Sequence, residues 1–194
     1  MDEASALLET LHTTAPDAPT ACAGWTAHEL VAHLAAGAAE MAGLVEDVLA
    51  GRPERPTRGF AEREAPFVAL ADDVLRDRLL SEALRLGLAT ERLGSAGDRA
   101  TFTGRTMSAA EMSLHGRSEA ALHRWDLVGS DSVSRDLLGQ RCLTAHAVSV
   151  VSWMPATAHE SLAYRAAAAG ARPARLTFAA PGEADVVFVS HEGG

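Results

Sequence analysis

The chain has 194 residues, 47% of them hydrophobic and only 5% aromatic, and a formal charge of −9. That is enough apolar material for one domain, or one domain with an appendage, packed mainly by small aliphatic side chains. The acidic balance speaks against nucleic acid or an anionic membrane as the main partner, because both demand clustered cations.

The opening MDEASALLETLH is acidic and lacks the apolar centre of a secretory signal. No apolar run approaches the roughly 18 residues of a membrane span, so a cytoplasmic protein is expected. Residues 2 to 13 carry Leu7, Leu8 and Leu11 at helical spacing, and the pattern stops before Pro16 and Pro19. Thr26 and Glu29 have the spacing of a capping box. The helix they open is expected to run to about Ala50, with Leu30, Leu34, Gly37, Met41, Leu44 and Val48 on its apolar face. His33 falls on that buried side, whereas His28 falls in the first turn, nearer solvent.

Residues 51–66, rich in Arg, Glu and Pro, read as a connecting loop with at most a turn of helix at its end. Val68, Leu75, Leu79, Leu86 and Leu93 then predict one long helix from Phe67, stopped by Gly94. A polar loop with some β-character at Ala100 to Thr103 follows. Ser108 and Glu111 form a second capping-box spacing. Behind them Met112, His115, Glu119, Leu122, His123 and Asp126 recur on one helical face, and Gly129 ends the run. A further helix is expected from Ser134 to Pro155, where proline kinks or ends it, and an alanine-rich piece from Ala156 to Ala169. Two strands, Arg175 to Ala179 and Asp185 to Ser190, flank a Pro181-Gly182 turn.

These elements predict an all-α fold: a helix bundle over residues 1–170, with a β-hairpin appendage at 171–194. An isolated hairpin is marginal in water, so it must pack on the bundle, pair with another chain or be the remnant of a larger sheet domain. Cys22 and Cys142 lie in no CxxC-type pattern and are expected as two thiols rather than a disulfide.

His33, Glu119 and His123 are polar groups on faces expected to point inward. In a bundle such groups converge on a common axis. Two imidazoles and a carboxylate make a three-ligand metal set with a fourth position open, as in catalytic zinc sites. The spacing by itself leaves the alternative of ordinary hydrogen-bonded core histidines.

The strings GWTAHELVAHLAAG (24–37) and EAALHRWDLVG (119–129) resemble the mycothiol-dependent maleylpyruvate isomerase N-terminal domain family. That family sits within the DinB-like metal-binding four-helix bundles. The resemblance covers Leu7 to about Gly170. It implies that His33, Glu119 and His123 bind a divalent metal, usually zinc. It also implies that the metal activates a low-molecular-weight thiol, in many members mycothiol, for isomerisation or S-transfer on a small electrophilic, acidic substrate.

His115, one turn before Glu119, and Arg117 are the catalytic candidates. Arg58 and Arg63 are candidates for binding the cofactor or anchoring an acidic substrate. Arg117 and its neighbour Arg124 lie off the inward face, so pairing or solvation is the competing reading for both. Trp125 is read as packing and Asp126 as a structural hydrogen bonder at the helix end. Full-length isomerases of the family add an α/β domain that helps to close the site; here the hairpin stands in its place, and dimerisation through the hairpin edge could supply the cover. The alternatives from other classes are a thiol-independent metal enzyme of secondary metabolism and a non-catalytic ligand-binding bundle.

Overall fold

The computed structural model describes residues 2–153, 175–178 and 186–189. The chain divides into two compact units, Met1–Leu138 and Gly139–Gly194. The boundary expected at 170/171, the Pro181-Gly182 turn and the helix expected at Ala156 to Ala169 lie outside the described residues.

The first unit is built on four helices: α1 (Glu3–Thr13), α2 (Ala27–Leu49), α4 (Asp72–Ala96) and α5 (Ala109–Val128). A shorter α3 (Phe60–Val68) packs on α2, and α6 (Ser132–Leu138) follows α5. α2 packs mainly on α4, and α1 on α5. Both expected capping boxes form. Thr26 and Ser108 each accept a backbone N–H three residues on, and Glu29 and Glu111 reach back to the cap N–H. Gly129, at φ 75°, ends α5, a backbone conformation that a Cβ disfavours.

Two apolar clusters fill the unit. One joins Met41, Leu44 and Val45 of α2 to Ala89 and Leu93 of α4, with Phe102, Met107 and Met112. The other joins Leu7 and Leu11 of α1 to Val31, Ala32 and Ala35 of α2 and to Leu75 and Leu79 of α4. Alanines at the α2 contacts let the helices approach closely, which suits a chain poor in aromatic residues. No described helix is long and apolar enough to cross a membrane.

The structure departs from the sequence reading at several places. The segment expected as a loop carries α3 from Phe60, and the helix expected from Phe67 is interrupted: α3 ends at Val68, and α4 starts at Asp72 after an extended Ala71. Pro66 cannot donate to the Glu62 carbonyl, which weakens the last turn of α3. Asp72 and Asp73 at the next turn favour a fresh N-terminus, and α4 runs past Gly94 to a left-handed Gly97. The polar loop before α5 is a hairpin, β1 (Arg99–Phe102) with β2 (Arg105–Ser108). Its two-residue turn, Thr103-Gly104, has φ of 50° and 82°, the primed-turn geometry that matches strand twist. The helix expected from Ser134 is also interrupted, because Gly139 breaks it between α6 and α7 (Arg141–Trp153). Leu122, expected inward, is 43% exposed.

In the second unit, β3 (Arg175–Phe178) pairs antiparallel with β4 (Val186–Val189), the expected C-terminal hairpin.

Candidate metal centre

The inward face of α5 carries His115, Glu119 and His123, one turn apart. α2 presents His33 to the same place. One ligand atom each from His33, Glu119 and His123 lies within 4.8 Å of the others. His33 Nε2 is 3.9 Å and His123 Nε2 3.5 Å from the same oxygen, Glu119 Oε2. These gaps exceed a normal hydrogen bond. They approach the spacing of roughly 3.3–3.6 Å between ligands that each stand about 2.0–2.2 Å from a tetrahedral ion.

The far sides of both rings are fixed. His33 Nδ1 meets Glu64 Oε1 at 2.7 Å, and His123 Nδ1 meets Asp126 Oδ2 at 2.8 Å. A carboxylate at Nδ1 holds the proton there and turns the Nε2 lone pair inward. This is the arrangement that orients metal-ligating histidines and raises their basicity. Aromatic rings hold His33 as well: Trp25 at a centroid distance of 5.1 Å and Phe60 stacked at 5.7 Å. The donor set, its spacing and its outer carboxylates therefore fit a divalent cation.

Charge points the same way. Burial opposes ionisation of Glu119, yet His123, His33 and His115 hold its carboxyl well below the usual range. Burial disfavours the charged His123 ring, but Asp126 and Glu119 outweigh it and push its pKa up to about 9. The carboxylates of Glu119 and Asp126 thus favour positive charge in this cluster, carried by the His123 ring or by a bound cation. His115 lies beside it, with Nε2 3.9 Å from Glu119 Oε1 and its ring 5.7 Å from Phe102. Burial lowers its pKa and favours the neutral form.

The four candidate arginines separate. Arg63 is 5% exposed. Its guanidinium lies 4.4 Å over the Phe60 ring and 5.8 Å from the Phe102 ring. Its Nε has no hydrogen-bond partner among the described residues. Burial lowers its pKa, while the charges of Glu64, Glu40 and Glu119 support it. The others are engaged elsewhere. Arg58 bonds the fully buried Glu40, with Nη2 2.7 Å from Oε2. Arg117 donates to both oxygens of Glu3 at 3.0 and 2.8 Å, fastening α5 to the start of α1. Arg124 pairs with Asp131 and Ser134, joining α5 to α6.

Three neighbours of the site are not assigned to it by the sequence reading, although Asp126 is read there as a hydrogen bonder at the helix end. Glu64 lies in a segment read as loop, 31 residues from its histidine, and no local pattern announces it. Asp126 as the partner of His123 was legible as an i, i+3 pair on one helix face. Cys22 lies within 4.8 Å of His123 and Asp126. Burial, then the carboxylate of Asp126, push its thiol up to about 11.

Residues 1–128 match the family model described as the mycothiol maleylpyruvate isomerase N-terminal domain. Two solved structures resemble the chain: the mycothiol-dependent maleylpyruvate isomerase and a histidine-to-alanine variant of it, at 21% and 22% identity. Each aligns with a TM-score of 0.63 over 75% of this chain and 65% of its own. The chain thus spans about two-thirds of those isomerase chains, and at this identity the likeness is one of fold. No curated protein matches.

Proposed function

The chain belongs to the mycothiol maleylpyruvate isomerase N-terminal domain family, and from that premise we propose that it is a zinc-dependent enzyme using a low-molecular-weight thiol on a small, acidic electrophile. Mycothiol is the thiol and maleylpyruvate the first substrate to test, after the names of the family and of the solved relatives. The reaction is an isomerisation or an S-transfer.

One observation carries this reading: two imidazole Nε2 atoms and a carboxylate oxygen converge, with both outer nitrogens held by Glu64 and Asp126. His33, His123 and Glu119 would hold the ion. A divalent cation there supplies Lewis acidity, which stabilises a thiolate at neutral pH.

The chain's own groups do the rest. Arg63 offers a fixed positive charge to a substrate carboxylate, and the buried Phe102 ring beside it keeps water away and strengthens that attraction. His115, kept neutral by burial, can take or return a proton at Nε2. In an isomerisation the thiolate sulfur adds to one carbon of an electron-poor double bond. The resulting single bond rotates, and the sulfur leaves as the double bond re-forms. In an S-transfer the sulfur stays and the adjacent carbon takes a proton. Arg117 and Arg58 have no part in this reading, since their guanidinium groups are committed to Glu3 and Glu40.

The test is metal analysis of protein purified without chelators, with turnover of maleylpyruvate measured with and without mycothiol. About one zinc per chain and turnover only with the thiol are expected, and both are lost in His33→Ala. Absence of bound metal overturns the proposal, and turnover by the metal-loaded protein without thiol overturns its thiol step.

A further inference from the structure

α3 buries little apolar surface: Phe67 packs at the edge of the second apolar cluster, Phe60 stacks on His33, and polar contacts supply the other ties. Arg63 is its only buried residue. It runs antiparallel to α2, and three ties succeed one another along the pair. At one end His28 Nε2 meets the Val68 carbonyl at 3.1 Å. In the middle His33 Nδ1 meets Glu64 at 2.7 Å. At the other end Glu40, 0% exposed, takes hold of the segment leading into α3. Its Oε1 accepts from Arg55 Nη1 at 2.6 Å and from the Arg58 backbone N–H at 2.9 Å. Its Oε2 accepts from Arg58 Nε at 2.9 Å. Thr57 of the same segment accepts the Thr103 N–H at the tip of the β1–β2 hairpin, at 2.7 Å.

The two arginines must offset the desolvation of the buried carboxylate, so the clamp holds only while both stay in place. Its position suggests a use. Glu40 lies two helical turns beyond His33 on the same face of α2, about 10.5 Å along the axis. The segment it grips delivers Phe60, Arg63 and Glu64, which stack on His33, supply the buried cation and hold His33 Nδ1.

We propose that Glu40 is a positioning residue for the metal centre: by clamping Arg55 and Arg58 it seats α3 as a strap, and the seated strap fixes His33 through Glu64. The inference rests on the metal-binding reading above, but the strap is testable without metal.

The variants are Glu40→Gln and, in case that one fails to fold, Arg58→Gln. Glu46→Gln is the control, since Glu46 ties α2 to Arg85 of α4 and leaves α3 alone. The first measurement is zinc affinity by chelator competition. A loss of about 10- to 100-fold is expected for Glu40→Gln, the size typical of removing an outer support, and none for Glu46→Gln. The second is trypsin cleavage of the metal-free protein. Arg52 and Arg55 precede prolines, which protects those bonds, so cleavage reads out after Arg58 and Arg63 in Glu40→Gln and after Arg63 in Arg58→Gln. Faster cleavage in the clamp variants than in wild type and Glu46→Gln supports the strap. A folded clamp variant with wild-type zinc affinity, or with wild-type cleavage, overturns the proposal. If wild type binds no zinc but the clamp variants are cleaved faster, the metal reading fails and the strap stands.

Discussion

The two sides of α2 are held by different physics. Toward α4 it presents Met41, Leu44 and Val45 to Leu93 and Ala89, an apolar contact with the part-exposed Glu46–Arg85 and His28–Asp72 pairs beside it. Toward α3 and α5 it presents His33 and Glu40 to carboxylates, imidazoles and guanidinium groups. The first side is non-directional and tolerates pH and salt, but every lost methylene costs. The second is directional, and each group there is affordable only while its partner stays in place. A bundle can thus hold a charged centre because the opposite side of the same helix carries the stability.

That contrast predicts which variants unfold the protein and which only disarm it. Leu93→Ala, at a side chain with 0% exposure, should cost about 3 kcal/mol of unfolding free energy, with zinc affinity unchanged once folded. Urea denaturation and chelator competition check the two halves of that statement. Glu64→Gln and Asp126→Asn should do the reverse. Each should weaken zinc binding about 10- to 100-fold with a much smaller change in the urea midpoint of the metal-free protein. Equal losses of stability and affinity in all three variants would erase the distinction.

Acid should separate the sides again. Burial opposes charge on Glu40, but Arg55 and Arg58 bring its pKa down to about 2, from an ordinary value of 4.5. A depressed carboxylate contributes stability that is complete above 4.5 and lost as pH falls toward 2. Unfolding followed between pH 5 and 2 should therefore show a steeper decline in wild type than in Glu40→Gln. The decline in Leu93→Ala should keep the wild-type slope from a lower start. The smallest effect belongs to the helix ends: Ser108→Ala removes the cap of α5 and should cost about 1 kcal/mol, read as a shift of the thermal midpoint.

Local patterns in the chain carried the helices with strong ends. Thr26/Glu29, Ser108/Glu111 and Gly129 set the bounds of α2 and α5 because capping is decided within four residues. Periodicity alone placed His33, Glu119 and His123 inward, and the two family strings joined them into a candidate ligand set. Periodicity failed where a helix breaks without losing its pattern, at residues 69–71 and at Gly139. It also failed at Leu122, which has the right phase but stays 43% exposed among the described residues.

The sequence by itself determined that four amphipathic helices would form and that two of them would carry imidazoles and a carboxylate on their inner faces, since both follow from spacing within single segments. Only the tertiary structure decided that Glu64 reaches His33 across 31 residues, that Glu40 grips Arg55 and Arg58, and that Arg63 is buried against Phe60 while Arg117 is spent on Glu3. Those are long-range pairings of charged side chains. Their partners are chosen by the packing of whole helices, and no local rule of spacing contains that information.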